Sequence, residues 1–246
     1  MNPITVSFVV PAHNEELLLP ATLLSIRSAA DACALQYELI VADDASSDRT
    51  AQVAQALGAH VVTVHHRQIS ATRNSGARAS RGQLLVFVDA DTRIDSLVLR
   101  AALRVMAEGA VGGGAVVRFD GVVPLYARTL LPALTTCMRA TRLAAGCFVF
   151  CTRSAFDDVG GFDQRLFGAE EIALSAALKK LGRFVIVNQP VVTSGRKLRT
   201  YSLVEILQLT VRFALSGRKM LERRDQLGLW YDPRREDPLQ RRSNPG

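Results

Sequence analysis

The sequence lacks the features that mark membrane-spanning, secreted and dinucleotide-binding proteins. Apolar stretches such as residues 184–195 are much shorter than the roughly 20 residues of a spanning helix. No basic region precedes the first apolar run, so we expect no signal peptide. Pro11 and Ala12 follow the first predicted strand in place of a G-x-G-x-x-G fingerprint, which argues against a dehydrogenase.

Cysteine is scarce and shows no motif. The four cysteines form neither a C-x-x-C pair nor a metal-ligand spacing. Cys33 and Cys137 stand alone, while Cys147 and Cys151 lie on one predicted strand. We interpret all four as free thiols of a protein in a reducing cytoplasm, and we expect no zinc or redox function.

The formal net charge of +7 is concentrated near the C-terminal end. Residues 196–246 contain twelve Lys or Arg and six Asp or Glu, so the preceding residues are close to neutral. No nucleic-acid-binding module and no aromatic stacking platform accompanies this basic segment. We therefore expect no nucleic-acid partner.

The basic segment has the spacing of an amphipathic helix. Between residues 202 and 221 the apolar positions recur at helical intervals; they are Leu203, Ile206, Leu207, Val211, Ala214 and Leu215. The helix could lie on an anionic membrane, with Trp230 and Tyr231 as interfacial anchors, or it could pack on the rest of the protein. The sequence is compatible with both arrangements. Residues 232–246 are rich in Pro, Arg and Asp and are predicted to be disordered.

Apolar runs alternate with helical patterns along the first 110 residues. The alternation predicts an α/β fold with a mostly parallel sheet covered by helices on both faces. The predicted strands are 5–10, 37–42, 60–64, 83–88, 115–119 and 146–150, and the predicted helices are 19–31, 48–57, 70–80, 96–108 and 170–181. Between residues 121 and 142 two prolines interrupt the pattern, and we expect acceptor-specific structure there.

Two carboxylates stand at the end of the apolar run 84–88. Residues i and i+2 of an extended chain point the same way, so Asp89 and Asp91 can face one hard cation. The simpler interpretation is that these acids cap the following helix, a role that Asp95 could also fill. A D-x-D pattern alone does not decide between the two.

Two other predicted strands also end in polar, acidic loops. The run 6–10 is followed by residues 11–15, which include Glu15, and the run 37–42 is followed by Asp43 and Asp44. Ligands of open α/β sheets lie outside the carboxyl ends of the strands. Acids at three such ends predict one shared site.

These segments resemble the family-2 nucleotide-sugar glycosyltransferases of GT-A fold. The similar blocks are Val9–Glu15, Val41–Thr50, Ser70–Gly76, Val88–Thr92, Val159–Asp163 and Gly168–Ser175, in the order and spacing of that family. The resemblance covers roughly residues 4 to 200. It implies a catalytic domain at 1–198, with a nucleotide-binding half at 1–110 and an acceptor half at 111–198, followed by a helical extension at 199–231.

The resemblance also implies a donor site. Asp43 matches the carboxylate that reads the base edge of the nucleotide, consistent with an acceptor facing the imide N–H of uracil. Asp91, helped by Asp89, matches the ligand of Mn²⁺ or Mg²⁺, and oxygen ligands suit these hard cations. The other positions that match donor contacts are Pro11, Ala12, Glu15, Arg73 and Ala90.

The acceptor side of the resemblance supplies a general base. Glu171 matches it, although that family more often has Asp, and Glu170 is the alternative. A single displacement by such a base predicts inversion at the anomeric carbon. Many members place a His near residues 191–195 as a metal ligand; this chain instead has Arg196 and Lys197, which could hold the diphosphate. The Q-x-x-R-W pattern of processive synthases is absent, so we expect one sugar per encounter.

Two functional hypotheses follow. The first is a metal-dependent, inverting, non-processive glycosyltransferase that uses a nucleoside diphosphate sugar, UDP-linked in preference to GDP-linked. The second is a nucleotide-sugar-binding scaffold without turnover. The acceptor could be lipid-linked, a saccharide or a small metabolite, and the basic segment favours a cytoplasmic protein at the inner membrane face.

Overall fold

The computed structural model describes residues 5–144, 146–202, 204–205, 208, 218–231, 235 and 237. Strands and helices alternate through the first hundred residues as the sequence predicts. The strands are β1 Val6–Ala12, β2 Tyr37–Asp44, β3 His60–Val64, β4 Leu84–Val88, β5 Thr92–Arg93, β6 Gly112–Phe119, β7 Phe148–Thr152 and β8 Phe184–Thr193. The helices are α1 Leu19–Ala32, α2 Thr50–Ala56, α3 Ile69–Ala79, α4 Ser96–Ala107, α5 Leu125–Thr141, α6 Arg153–Asp158, α7 Glu170–Leu181, α8 Arg196–Thr200, α9 Arg218–Leu221 and α10 Gly228–Tyr231.

The strands form one sheet in the order β3-β2-β1-β4-β7-β6-β8-β5. The four strands β3, β2, β1 and β4 pair in parallel, and β7 joins β4 in the antiparallel sense. Because parallel strands end at the same edge of a sheet, the loops after β1, β2 and β4 meet there. The fold therefore brings together the three acidic strand ends.

Both faces of the sheet are covered, as predicted. Every residue of β1 and of β4 is buried, which explains why these strands are continuous apolar runs. One face packs in a cluster with Leu23 of α1 and Val98 of α4. The other packs with Phe156 of α6 and Leu174 of α7. The predicted fold class is confirmed.

Strand β6 begins at Gly112, three residues before the predicted strand, because its glycines lie against neighbouring backbone. A Cβ at Gly112 would be 2.7 Å from the carbonyl oxygen of Phe150, and a Cβ at Gly113 would overlap the carbonyl oxygen of Val185. These glycines therefore permit close approach of the neighbouring strands. Sequence reasoning missed β8, and it missed α5, which runs through Pro132.

The C-terminal residues are only partly described. Most of the predicted helix at 202–221 lies outside the described residues, as does most of the tail 232–246. Asp237 is described; it is buried and accepts two hydrogen bonds from Arg199, at 3.0 Å and 2.6 Å. Tyr231 packs edge-on against Phe167 with ring centroids 5.9 Å apart, so its ring faces the domain and does not act as an outward anchor. Within the described residues no helix is long and apolar enough to span a bilayer.

We expect Gly113→Ala to lower the free energy of unfolding by about 1–3 kcal/mol, the usual cost of overpacking. The added methyl group would meet the carbonyl oxygen of Val185 and the buried ring of Phe150, so the strands β6 and β8 must separate. Urea denaturation measures the change. Leu97→Ala, at an exposed position of α4, is the matched control and should have little effect. Equal stability of the two variants would contradict the proposed backbone contact.

Candidate active site

The loops after β1 and β2 are joined by hydrogen bonds into one wall. The backbone N–H of Asn14 donates to Oγ of Ser46 (2.9 Å), and the N–H of Ser47 donates to Oδ1 of Asn14 (2.7 Å). Asn14 and Ala45 have left-handed backbone, at φ 53° and 55°, which turns both loops sharply. Asp43 stands beside this wall, 4% exposed, and accepts a hydrogen bond from Ser46.

The adjacent acid, Asp44, has a structural task. It accepts four hydrogen bonds, from the N–H groups of His66 (2.7 Å), Arg67 (2.8 Å) and Gln68 (3.1 Å) and from Oγ1 of Thr72 (2.8 Å). These bonds fix the entry to α3. Asp43 accepts fewer hydrogen bonds from the protein than Asp44 does, and Asp43 is the residue that the resemblance predicts to face the base.

The loop after β4 places Asp91 close to other acidic side chains. Burial, and next the charges of Glu15 and Asp89, raise the pKa of Asp91 to about 7, while Lys197 and Arg196 oppose that rise. Nη2 of Arg196 lies 3.5 Å from Oε1 of Glu15 and 4.0 Å from Oδ2 of Asp91. The predicted metal ligand and the predicted phosphate cation thus share one pocket.

Arg73 lies behind this pocket, in the centre of α3. It is 1% exposed, and its guanidinium donates to Asp89 (2.6 Å), to Glu170 (2.7 Å) and to the carbonyl oxygen of Gly146 (2.9 Å). The guanidinium also lies over the ring of Phe162, 5.2 Å from its centroid. In this arrangement Arg73 would influence a nucleotide through Asp89.

The two acids at the start of α7 differ in their surroundings. Glu170 is buried and ion-paired with Arg73. The carboxyl of Glu171 lies near Gly146, where a Cβ would be 3.1 Å from its Cδ. Burial, and next the charge of Glu170, raise the pKa of Glu171 to about 8. Such a group is a proton acceptor suited to neutral or slightly alkaline pH.

The donor atoms in the pocket fit a hard divalent cation. Within the described part of the chain, no group of three His, Cys, Asp or Glu side chains is placed to hold a metal ion. Mg²⁺ is commonly bound by one or two carboxylates together with substrate phosphates, and Asp89 and Asp91 supply those two. Burial and the charges of Glu15 and Asp89 raise the pKa of Asp91 more than Lys197 and Arg196 lower it, so the pocket favours further positive charge. A cation accompanied by a diphosphate would supply it.

Sequence reasoning missed three contributors to the site. Thr193, at the end of β8, donates to Oδ1 of Asp91 (3.4 Å) and accepts from Thr92 (2.8 Å). Gly146 admits the carboxyl of Glu171, and Ser46 holds Asp43. Thr193 and Gly146 have no local signal, since each acts through a neighbour that is distant in sequence, whereas Ser46 bonds an acid three positions earlier.

The chain resembles curated transferases over part of its length. It is 35% identical over 108 residues to an undecaprenyl-phosphate 4-deoxy-4-formamido-L-arabinose transferase of Shewanella sediminis, covering 39% of this chain and 33% of that protein. It is 33% identical over 99 residues to a 4,4'-diaponeurosporenoate glycosyltransferase of Staphylococcus haemolyticus, covering 37% and 25%. The matched segment is therefore a third or less of these relatives.

Solved structures share the fold over most of the chain. A mannosyltransferase of Pyrobaculum calidifontis in complex with GDP-Man and Mn²⁺ superposes with a TM-score of 0.67 and 18% identity, covering 90% of this chain and 63% of that one. Glucosyl-3-phosphoglycerate synthase of Mycobacterium tuberculosis, in complex with Mn²⁺, UDP and glucosyl-3-phosphoglycerate, gives a TM-score of 0.59 and 23% identity, covering 86% and 77%.

The family assignment comes from the sequence itself. The model of Glycosyl transferase family 2 matches residues 7–160. That range contains all three acidic strand ends, Arg73 and Gly146. The resemblance seen in the motifs is confirmed: this chain belongs to glycosyl transferase family 2.

Proposed function

We propose that the protein is a metal-dependent, inverting and non-processive glycosyltransferase that moves one sugar from a nucleoside diphosphate sugar to an acceptor hydroxyl. The observation that carries this proposal is the contrast between the two acids of α7: Glu170 is ion-paired with Arg73, whereas Glu171 has a pKa raised to about 8. Two neighbouring acids in different surroundings are typical of a site in which one of them accepts a proton.

The donor base is proposed to lie against the wall formed by the first two strand ends. Asp43 accepts the imide N–H of uracil, and UDP is proposed as the nucleotide in preference to GDP. Pro11, Ala12 and Glu15 line the base and ribose on one side, and Ala90 lies on the other. Pro11 has no backbone N–H, and it lies beyond the residues of β1 that pair with β4. The side of β1 that faces β4 is therefore open to a ligand at Pro11.

The diphosphate is proposed to lie at the end of β4. Asp91 and Asp89 hold Mn²⁺ or Mg²⁺, and a bound divalent cation neutralises charge on the departing nucleoside diphosphate. Arg196 is near enough to Asp91 to reach the same phosphate oxygens, at 4.0 Å from its carboxylate. A guanidinium suits phosphate because it donates parallel hydrogen bonds.

Glu171 is proposed as the general base. It removes the proton of the acceptor hydroxyl as that oxygen forms a bond to the anomeric carbon and the diphosphate oxygen leaves with its electron pair. Attack from the side opposite the leaving group inverts the configuration. Glu170 is proposed to orient Glu171 through Arg73, since its own carboxylate is engaged.

Lipid-linked acceptors are proposed from the similar transferase named for undecaprenyl phosphate. The reaction would then take place on the cytoplasmic side, next to the membrane that carries the lipid. The scaffold hypothesis makes a different prediction, because a scaffold binds the donor without releasing UDP.

Binding of UDP with MnCl₂ should raise the melting temperature of the wild type, because a ligand of the folded state stabilises it. Asp91→Asn should abolish the metal-dependent part of that rise while leaving the protein folded, since it removes a charge from a crowded pocket. Thermal-shift titration with UDP and GDP measures both effects. Asp225→Asn, at an exposed surface pair, is the control. An unchanged shift in Asp91→Asn would exclude this carboxylate as the metal ligand.

The two acids of α7 should respond differently to the same change. Glu171→Gln should lower metal-dependent UDP release from UDP-glucose by about 10²- to 10⁴-fold, the usual contribution of a general base, with UDP affinity unchanged. Glu170→Gln should instead lower the free energy of unfolding by about 1–3 kcal/mol, because the buried Arg73 loses a charged acceptor. The reverse pattern would assign the base to Glu170. Loss of UDP binding in Glu171→Gln would place that residue in the donor site.

The pH dependence follows from the raised pKa of Glu171. UDP release should increase from about pH 7 to about pH 9 as the base loses its proton. The folded pKa of about 8 exceeds the ordinary 4.5, so the folded state holds a proton that the unfolded chain releases, and the free energy of unfolding falls as pH rises between these values. Glu171→Gln should remove this part of the fall. A flat rate profile above pH 6 would contradict the assignment.

A further inference from the structure

The loop 163–169 leads directly into α7 and is held on its inner side by α3. Nε2 of Gln68 donates to the carbonyl oxygens of Gln164 (2.6 Å) and Leu166 (3.2 Å), and Oγ of Ser70 donates to that of Leu166 (3.3 Å). These bonds attach the loop to the nucleotide-binding half. They do not reach its last residues, next to α7.

The outer side of the loop is covered by residues 218–231, here called the C-terminal segment. The N–H of Phe167 donates to the carbonyl oxygen of Leu221 (2.7 Å). At Gly168 a Cβ would be 3.3 Å from Cδ1 of Leu227, which is itself 1% exposed. The C-terminal segment is thus packed against the residues that precede α7.

Tyr231 extends this contact toward the acid pair. Its ring lies edge-on to Phe167, and the guanidinium of Arg224 lies over it, 5.0 Å from its centroid. Burial, and next the charge of Glu170, raise the pKa of Tyr231 to about 12. The phenol is therefore neutral and within electrostatic reach of the first turn of α7.

The start of α7 depends on such outside support. The residue just before this helix, at its N-cap position, is Ala169, whose backbone is left-handed at φ 57°. The N-cap side chain makes no capping hydrogen bond. A non-glycine residue in that conformation is strained by about 1–2 kcal/mol. Strained backbone persists only where surrounding contacts determine it. Those contacts come from Arg73 on the inside and from the C-terminal segment on the outside.

We propose that the C-terminal segment positions the general base, with Tyr231 and Leu227 as the positioning residues. They fix the loop at Phe167 and Gly168, and the loop fixes the direction in which α7 presents Glu171. The inference rests on the proposed role of Glu171. It assigns the basic C-terminal part of the chain to the acceptor half of the active site.

The test compares three variants of the full chain. Tyr231→Ala should lower the rate of UDP release from UDP-glucose with MnCl₂ by about 10- to 100-fold, since small displacements of a catalytic group have effects of this size. UDP affinity, which depends on the opposite half of the site, should stay within about twofold. Tyr231→Phe keeps the ring on Phe167 and should retain most of the rate. Arg223→Gln, in the same segment but with a side chain 62% exposed, is the matched control.

Hydrogen exchange supplies a readout that does not need turnover. Amides of residues 163–171 should exchange faster in Tyr231→Ala than in the wild type, and those of residues 84–93 should not. If Tyr231→Ala proves unfolded, Gly168→Ala applies the same test, because its methyl group pushes on Leu227. Wild-type exchange in the loop, or a lower melting temperature with an unchanged rate, would overturn the positioning role. If Tyr231→Ala shows faster exchange but the wild type itself releases no UDP, the contact between the C-terminal segment and the loop is supported. The proposed function, and not that contact, is then rejected.

Discussion

The buried guanidinium of Arg73 is the interaction on which the site depends. An ion pair taken out of water loses hydration worth several kcal/mol per ion, so it persists only with well-placed partners. The carboxylates of Asp89 and Glu170 are those partners, 16 and 97 positions away in the sequence. Satisfying one cation therefore fixes the end of β4, the centre of α3 and the start of α7 relative to one another. The proposed donor side and the proposed acceptor side are thereby held in a fixed relative position.

The charges around that cation do not balance. The acids of the site are Glu15, Asp89, Asp91, Glu170 and Glu171, while the cations near them in the described residues are Arg73, Arg196 and Lys197. Burial first, and next the neighbouring acids, raise the pKa of Asp91 to about 7 and that of Glu171 to about 8. By itself, the site holds more negative than positive charge. The proposed divalent cation on one side and the proposed acceptor hydroxyl on the other would compensate for this charge.

Three of the six non-glycine residues with left-handed backbone in the described residues lie close to these acids. They are Asn14 and Ala45, in the loops after β1 and β2, and Ala169, just before α7. Each is held by contacts from another segment: hydrogen bonds between the two loops, and packing by the C-terminal segment before α7. Strain that is offset by the surrounding structure is common where side chains must be aimed precisely. The second half of the site is therefore more dependent on distant parts of the chain than the first.

The sequence by itself determined the alternating strands and helices, the acids at three strand ends and the extent of α7, because apolar runs and helical spacing are local properties. It left Glu170 as an alternative to Glu171, and it missed α5 and β8. Only the tertiary structure showed that Asp44 and Glu170 are engaged by groups of the protein itself. It also turned Tyr231 inward. These outcomes depend on which distant groups meet in a buried place, and hydrogen-bond partners of that kind leave no periodic trace in the chain.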